Sequence, residues 1–148
     1  MTMPSDVISG QCLCGAVKIT VTNPSGWVGV CHCAMCQRWS GSVFASFPAA
    51  PDTVTVSGPV KVHASSQLAE RAFCGTCGSH LWMRDREETA EYDLMPGLFE
   101  AAKDWPLRSE IYCDEAPAAF SLEGDHRKAT AEQYRAKYPR AQEVTDNV

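Results

Sequence analysis

The chain has 148 residues, 45% of them hydrophobic and 21% charged, which excludes a chain disordered throughout and lets a domain of this length bury roughly 68–70% of its unfolded surface. Thirteen Lys and Arg against 18 Asp and Glu leave a net charge of −5, which argues against a nucleic-acid partner and for a small molecule or another protein. No run approaches eighteen apolar residues, so no membrane partner is expected. Met1 to Gly10 has neither a basic start nor an apolar stretch, which predicts a chain that stays in the reducing cytoplasm.

Val17, Ile19 and Val21 alternate with Ala16, Lys18 and Thr20, so Gly15 to Val21 reads as a half-buried strand. Asn23-Pro24-Ser25-Gly26 then turns the chain, and Trp27 to Val30 is the expected return strand of a hairpin. Ser42 to Phe47 alternates again and is expected to stop at Pro48. Asp52 to Ser57, closed by Gly58-Pro59, is a further β-rich run. Shorter ones follow at Val60 to His63, Arg71 to Phe73, His80 to Met83, Tyr92 to Met95 and Glu110 to Cys113, and Arg84 to Glu91 reads as a solvated loop. Helix is scarce. Leu98 to Lys103 allows a turn or two before Pro106, and the best case is Thr130 to Lys137, where Thr130 and Gln133 have capping-box spacing and Pro139 follows. From Gln142 onward nothing is periodic, so the tail is expected to fray. The pattern predicts one mainly β domain over 1–148.

Seven of the eight cysteines form three groups: Cys12 with Cys14, Cys31 with Cys33 and Cys36, and Cys74 with Cys77. In a reducing compartment such clustering points to metal rather than disulfides. A Cys-x-x-Cys turn with Gly75 inside and Gly78 behind lets two thiolates converge on one centre, and a Cys-x-Cys on a strand puts both side chains on one face. Cys74 and Cys77 have two possible partners, the first group or part of the second. Pairing them with Cys12 and Cys14 completes four ligands and leaves Cys31, Cys33 and Cys36 as a three-thiolate set. Four ligands are the pattern of a closed structural zinc, three that of a zinc with an open position. Neither familiar ferredoxin spacing is present, which favours zinc over an iron–sulfur cluster.

These segments resemble a known family. Gly10-Gln11-Cys12-Leu13-Cys14-Gly15, Cys31-His32-Cys33-Ala34-Met35-Cys36-Gln37-Arg38-Trp39-Ser40-Gly41-Ser42 and Phe73-Cys74-Gly75-Thr76-Cys77-Gly78-Ser79-His80-Leu81 resemble the glutathione-dependent formaldehyde-activating enzyme family in order and spacing. The resemblance spans 8–120 and implies a mainly β fold of the tent-like type shared with the Mss4 family. A C-terminal helix over 129–138 and a frayed tail over 142–148 lie beyond it. It further implies two zinc ions per chain: a structural one at Cys12, Cys14, Cys74 and Cys77, and a labile, glutathione-responsive one at Cys31, Cys33 and Cys36.

The expected activity is then that of a zinc-dependent carbon–sulfur lyase, which joins a thiol, glutathione, to a small aldehyde such as formaldehyde. Cys31, Cys33 and Cys36 are catalytic through their zinc, and Arg38, Trp39, Ser40, Gly41 and Ser42 are the candidate substrate contacts. The alternative is a non-catalytic zinc-binding β module that carries glutathione or binds a protein. His32 reads as a support for the ligands or a solvent-facing side chain rather than a base or a fourth ligand. His80 is expected to pack locally, and His63 and His126 carry no signal. Cys113 reads as a small buried hydrophobe rather than a fourth ligand.

Overall fold

The structure is a computed structural model and describes residues 6–139. Its strands are β1 Val7–Gln11, β2 Lys18–Thr22, β3 Val28–Cys31, β4 Phe44–Ala49, β5 Val54–Ser57, β6 Val60–Ala64, β7 Ala69–Cys74, β8 His80–Asp85, β9 Tyr92–Leu94, β10 Leu107–Ile111 and β11 Arg127–Ala129. The helices are α1 Ala34–Ser40 and α2 Ala131–Lys137. The protein is mainly β, as its alternation implies. The chain divides into two compact units, each assembled from two segments: one from the chain up to Trp27 with Ser46–Trp105, the other from Val28–Ala45 with the chain from Pro106 onward.

In the first unit β2 is the middle strand of an antiparallel sheet ordered β1-β2-β5, and β4-β9-β8-β7-β6 form a second antiparallel array. The hairpin expected between Gly15–Val21 and Trp27–Val30 does not form. Its turn is there, with Asn23 at φ 49° and Gly26 at φ 76°, but β2 carries the fully buried Ile19 and Val21 and is paired along both edges. No edge remains for β3, which pairs instead with β10. β1 was not legible, because Ile8 is its one buried apolar residue and gives no alternation. Gly10 is required there by close approach, since a Cβ would lie 2.6 Å from the Leu98 carbonyl oxygen and 2.7 Å from the Phe99 ring. Pro48 does not end β4. It stands opposite Asp93 inside the strand, a place tolerated where the ladder asks nothing of its nitrogen.

The core of this unit gathers Ile8, Val17, Ile19, Val21, Ala72, Leu81, Trp82, Leu94 and Phe99 around Phe47. Phe47 meets Phe99 and Trp105 edge to face, with centroids 5.2 and 5.0 Å away. Such geometry adds to burial worth roughly 1.5–3 kcal/mol for a fully enclosed Phe. The run expected as a strand from Asp52 begins as a 3-10 turn, Pro51–Thr53, before β5. Likewise Leu98 to Lys103 is split between two 3-10 turns, Pro96–Leu98 and Glu100–Asp104.

In the second unit β10 lies between β3 and β11 and runs parallel to both, with Ile111 opposite Cys31 and Glu110 opposite Val30. Parallel pairing needs long crossovers, which is why strands so distant in sequence meet here. Helix α2 starts one residue inside its expected range. Thr130 accepts from the Gln133 amide at 3.2 Å while the Gln133 side chain accepts from the Thr130 amide at 2.9 Å, and the Ala131 amide donates to Asp114 at 2.8 Å. The expected tail at 142–148 lies outside the described residues.

Candidate metal centres

Each unit gathers one cysteine group, and none of the eight cysteines forms a disulfide. In the first unit Cys12 and Cys14 sit in the turn that follows β1, not on a strand as expected. There the Gly15 amide donates to the Cys12 carbonyl at 3.1 Å and the Val17 amide reaches the Cys12 sulfur at 3.3 Å. The matching turn joins β7 to β8. Cys74 ends β7, its sulfur receives the amides of Thr76 and Cys77 at 3.4 and 3.5 Å, and Gly78 closes the turn at φ 79°, which glycine adopts without strain. Ser79 ties the two turns together: its hydroxyl accepts from the Leu13 amide at 3.0 Å and lies 3.2 Å from the Cys77 sulfur.

The four sulfurs all lie within 4.8 Å of one another, with Cys12 to Cys14 at 3.6 Å and Cys14 to Cys74 at 3.8 Å. A tetrahedral zinc with 2.3 Å Zn–S bonds needs sulfurs about 3.8 Å apart, so the donor set fits that ion. The thiols also titrate as a crowded set. The hydroxyl of Ser79, and then the amides of Ser79 and Cys14, draw the Cys77 thiol down to about 5. The Ala16 amide pulls Cys14 the same way, but burial and the sulfurs of Cys12, Cys77 and Cys74 outweigh it and push that thiol up to about 11. Four thiolates this close need a cation among them.

The second group is built at a strand-to-helix junction. Cys31 ends β3, Cys33 is the N-cap of α1, where its sulfur accepts from the Cys36 amide at 3.5 Å, and Cys36 is buried in the first turn. Their sulfurs also lie within 4.8 Å of one another, and among the described residues no fourth Cys, His or carboxylate joins them. The neighbouring sulfurs of Cys33 and Cys36, followed by burial, push the Cys31 thiol well above its ordinary value. Cys113 opens a 3-10 turn, Cys113–Glu115, and is not part of the group.

His32, between two of these cysteines, is wholly buried and does not face solvent. Its Nε2 donates to Glu110 at 2.8 Å, and the other Glu110 oxygen accepts from His126 Nε2 at 2.7 Å. Burial alone would raise the Glu110 carboxyl, but the bonds from His126 and His32 hold it below the ordinary carboxylate range. The His32 carbonyl accepts from the Gln37 side chain at 2.6 Å. Neither Glu110 nor His126 was legible as a site residue; the one signal was a carboxylate directly before the apolar pair Ile111 and Tyr112.

The other candidate contacts follow the group along α1. Arg38 is exposed in the last turn, and Trp39 is half-buried against Phe44 with centroids 6.1 Å apart. Ser40 Oγ lies 2.8 Å from the Cys36 carbonyl and 2.9 Å from that of Ser42, the Gly41 amide donates to the Gln37 carbonyl at 2.8 Å, and the Ser42 amide donates to Ser40 Oγ at 3.3 Å. These groups close the helix end. A depression of about 460 Å³ borders Cys77 and Ser79 in the first unit, but its wall is Leu13, Met95, Leu98 and two glycines with His80, whose pKa burial and then Arg71 hold down. It offers no cation to an anionic thiol.

Residues 7–115 match the family described as glutathione-dependent formaldehyde-activating enzyme. An uncharacterised lyase of Schizosaccharomyces pombe is 27% identical over 114 residues, which are 76% of this chain and 83% of that protein. Two proteins named for glutathione-dependent formaldehyde activation are also similar. The one from Halomonas elongata is 28% identical over 89 residues, 53% of this chain and 57% of its own length. The one from Podospora anserina is 30% identical over 103 residues, 64% of this chain and 48% of its own. The chain thus spans about half the length of these last two. A crystal structure of a Rhodobacter sphaeroides protein shares the fold at a TM-score of 0.53 and 22% identity, covering 68% of this chain and 99% of that one.

Proposed function

Because this chain belongs to the glutathione-dependent formaldehyde-activating enzyme family, we propose that it is a zinc enzyme that adds a thiol, glutathione, to a small aldehyde such as formaldehyde. The observation that carries this reading is the group of Cys31, Cys33 and Cys36, three converging sulfurs with no fourth protein donor among the described residues. Cys12, Cys14, Cys74 and Cys77 would hold a closed, structural zinc, and Cys31, Cys33 and Cys36 a second one with room for a substrate thiol. A zinc held there supplies one thing, acidification of the thiol that joins it, so that the nucleophile is a thiolate at neutral pH. The reaction is an addition: sulfur bonds to the carbonyl carbon, the C=O double bond becomes a C–O single bond, and the oxygen takes the proton the thiol has lost. No oxidant enters.

The chain's own groups hold and orient. Cys33 and Cys36 are fixed by the cap of α1, His32 by Glu110, and the loop between them by Gln37. Arg38, two residues beyond Cys36 and exposed, is the cation available to a carboxylate of glutathione, and Trp39 is the flat wall beside it. The test is the rate at which glutathione and formaldehyde approach equilibrium with S-hydroxymethylglutathione, followed by exchange spectroscopy because the uncatalysed addition also proceeds. The wild type should exceed the spontaneous rate and Cys33→Ser should not. Equal rates with measurable glutathione binding would replace catalysis by a carrier role, and equal rates without it would leave a protein-binding module.

A further inference from the structure

Glu110 is a charged side chain in the interior, 4% exposed, and both of its oxygens are committed: Oε1 to His32 at 2.8 Å and Oε2 to His126 at 2.7 Å. The two imidazoles are as enclosed as the carboxylate, their side chains 0% and 1% exposed. A carboxylate only accepts hydrogen bonds, so each ring carries a proton on Nε2. Neither Nδ1 has a hydrogen-bond partner. Glu110 is therefore the single hydrogen-bonding anchor for both rings, and no solvent is at hand to replace it.

The position of this anchor gives it a consequence. His32 is flanked on both sides by members of the three-sulfur group, and the backbone on either side of it sets the separation of the Cys31 and Cys33 sulfurs. The His32 amide donates to the Ile111 carbonyl at 3.1 Å, its carbonyl accepts from Gln37, and its ring is fixed by Glu110. Two of these three restraints come from β10. His126, just before β11, holds the far side of the same carboxylate. Resting on the reading that Cys31, Cys33 and Cys36 hold a metal, we propose that Glu110 and His126 are positioning residues for that metal, acting through the His32 ring to hold the Cys31 and Cys33 sulfurs at ligating distance. The pair would make metal affinity at this site depend on a carboxylate 78 residues away in sequence and on the histidine beyond it. Groups that support metal ligands in this way are typically worth 10–100-fold in affinity.

The experiment is Co²⁺ competition against a chromophoric chelator, with the thiolate and ligand-field bands read separately for the two sites. Wild type should take up two equivalents. Glu110→Gln should lose 10–100-fold in affinity for the weaker equivalent and shift its ligand-field bands, while the tighter equivalent is unchanged. A carboxylate that served the fold alone would lower the melting temperature without moving either Co²⁺ constant. His126→Leu, which leaves the carboxylate in place but frees its second oxygen, should give a smaller loss of the same kind, and His126→Gln, which restores an N–H donor, should recover it. If Glu110→Gln does not fold, the two His126 variants carry the test. An unchanged weaker constant in the variants that fold, beside an intact two-site wild type, overturns the positioning role. A wild type with one equivalent only overturns the metal reading itself, and the proposal with it.

Discussion

At the scale of single residues, the sulfurs were legible and the groups that serve them were not. Cysteine spacing is a local property of the sequence and gave three groups with the partner of Cys74 and Cys77 open; in the fold these two lie with Cys12 and Cys14. Ser79 looked like any turn residue, yet its hydroxyl accepts from the Leu13 amide and approaches Cys77, so it links two turns 66 positions apart. Its role depends on which backbone amide arrives from the other turn, and no spacing rule carries that. Ser79→Ala should leave the Leu13 amide without its acceptor and the Cys77 thiolate without its donor. We expect metal to leave the four-sulfur group roughly 10–100-fold more readily, read as chelator-dependent loss, with the three-sulfur group unaffected. Glu110 and His126 escaped for the same reason: a carboxylate in a strand announces burial only once its partners are known.

At the scale of elements, strands whose alternation is strong were found and their partners were not. β2 and β3 are adjacent in sequence and were read as a hairpin, but β3 pairs with β10 about 80 residues later, because pairing depends on which edges remain open. Helix α2 was placed to within a residue, since its capping box is complete within four positions. The array β7-β8-β9 also hides an electrostatic feature. Arg71 and Asp93 both stand opposite Met83, in one row across the three strands. Burial, followed by Glu91 and Asp85 and opposed by Arg71, raises the Asp93 carboxyl from 3.8 to about 7. Between those two values the folded chain keeps a proton that the unfolded chain releases, so stability falls as pH rises from about 4 to 7 and is lowest above 7. Asp93→Asn should therefore be more stable than wild type at pH 8, by an amount on the order of 2–4 kcal/mol, and the two stabilities should converge only as pH falls to about 4 and below. A gap independent of pH would show that Asp93 is ionised throughout.

At the scale of the whole molecule, the two cysteine groups lie in different compact units, so their loss should have different consequences. The four-sulfur group joins the segment before Trp27 to the β7–β8 turn, and metal bound there is folding energy. Cys77→Ser should lower the melting temperature by about 10 °C or more, whereas Cys36→Ser should retain the fold and one metal of two. Equal drops in the two melts would show that the partition of sulfurs into a structural and a working set is mistaken.

The interleaving of segments also orders events in time. A ribosome delivers every cysteine of the four-sulfur group once Cys77 has emerged, and the remainder of that unit by Trp105. The three-sulfur loop is made earlier, but β3 lacks β10, one of its two neighbours, until roughly 80 residues later. At 5–20 residues per second that wait lasts about 4–16 s, during which Cys31, Cys33 and Cys36 sit on a strand and loop that have not yet met β10. The direction of synthesis thus favours an order of assembly, with the four sulfurs of the first group all present on the growing chain before the strand that supports the second group has been made.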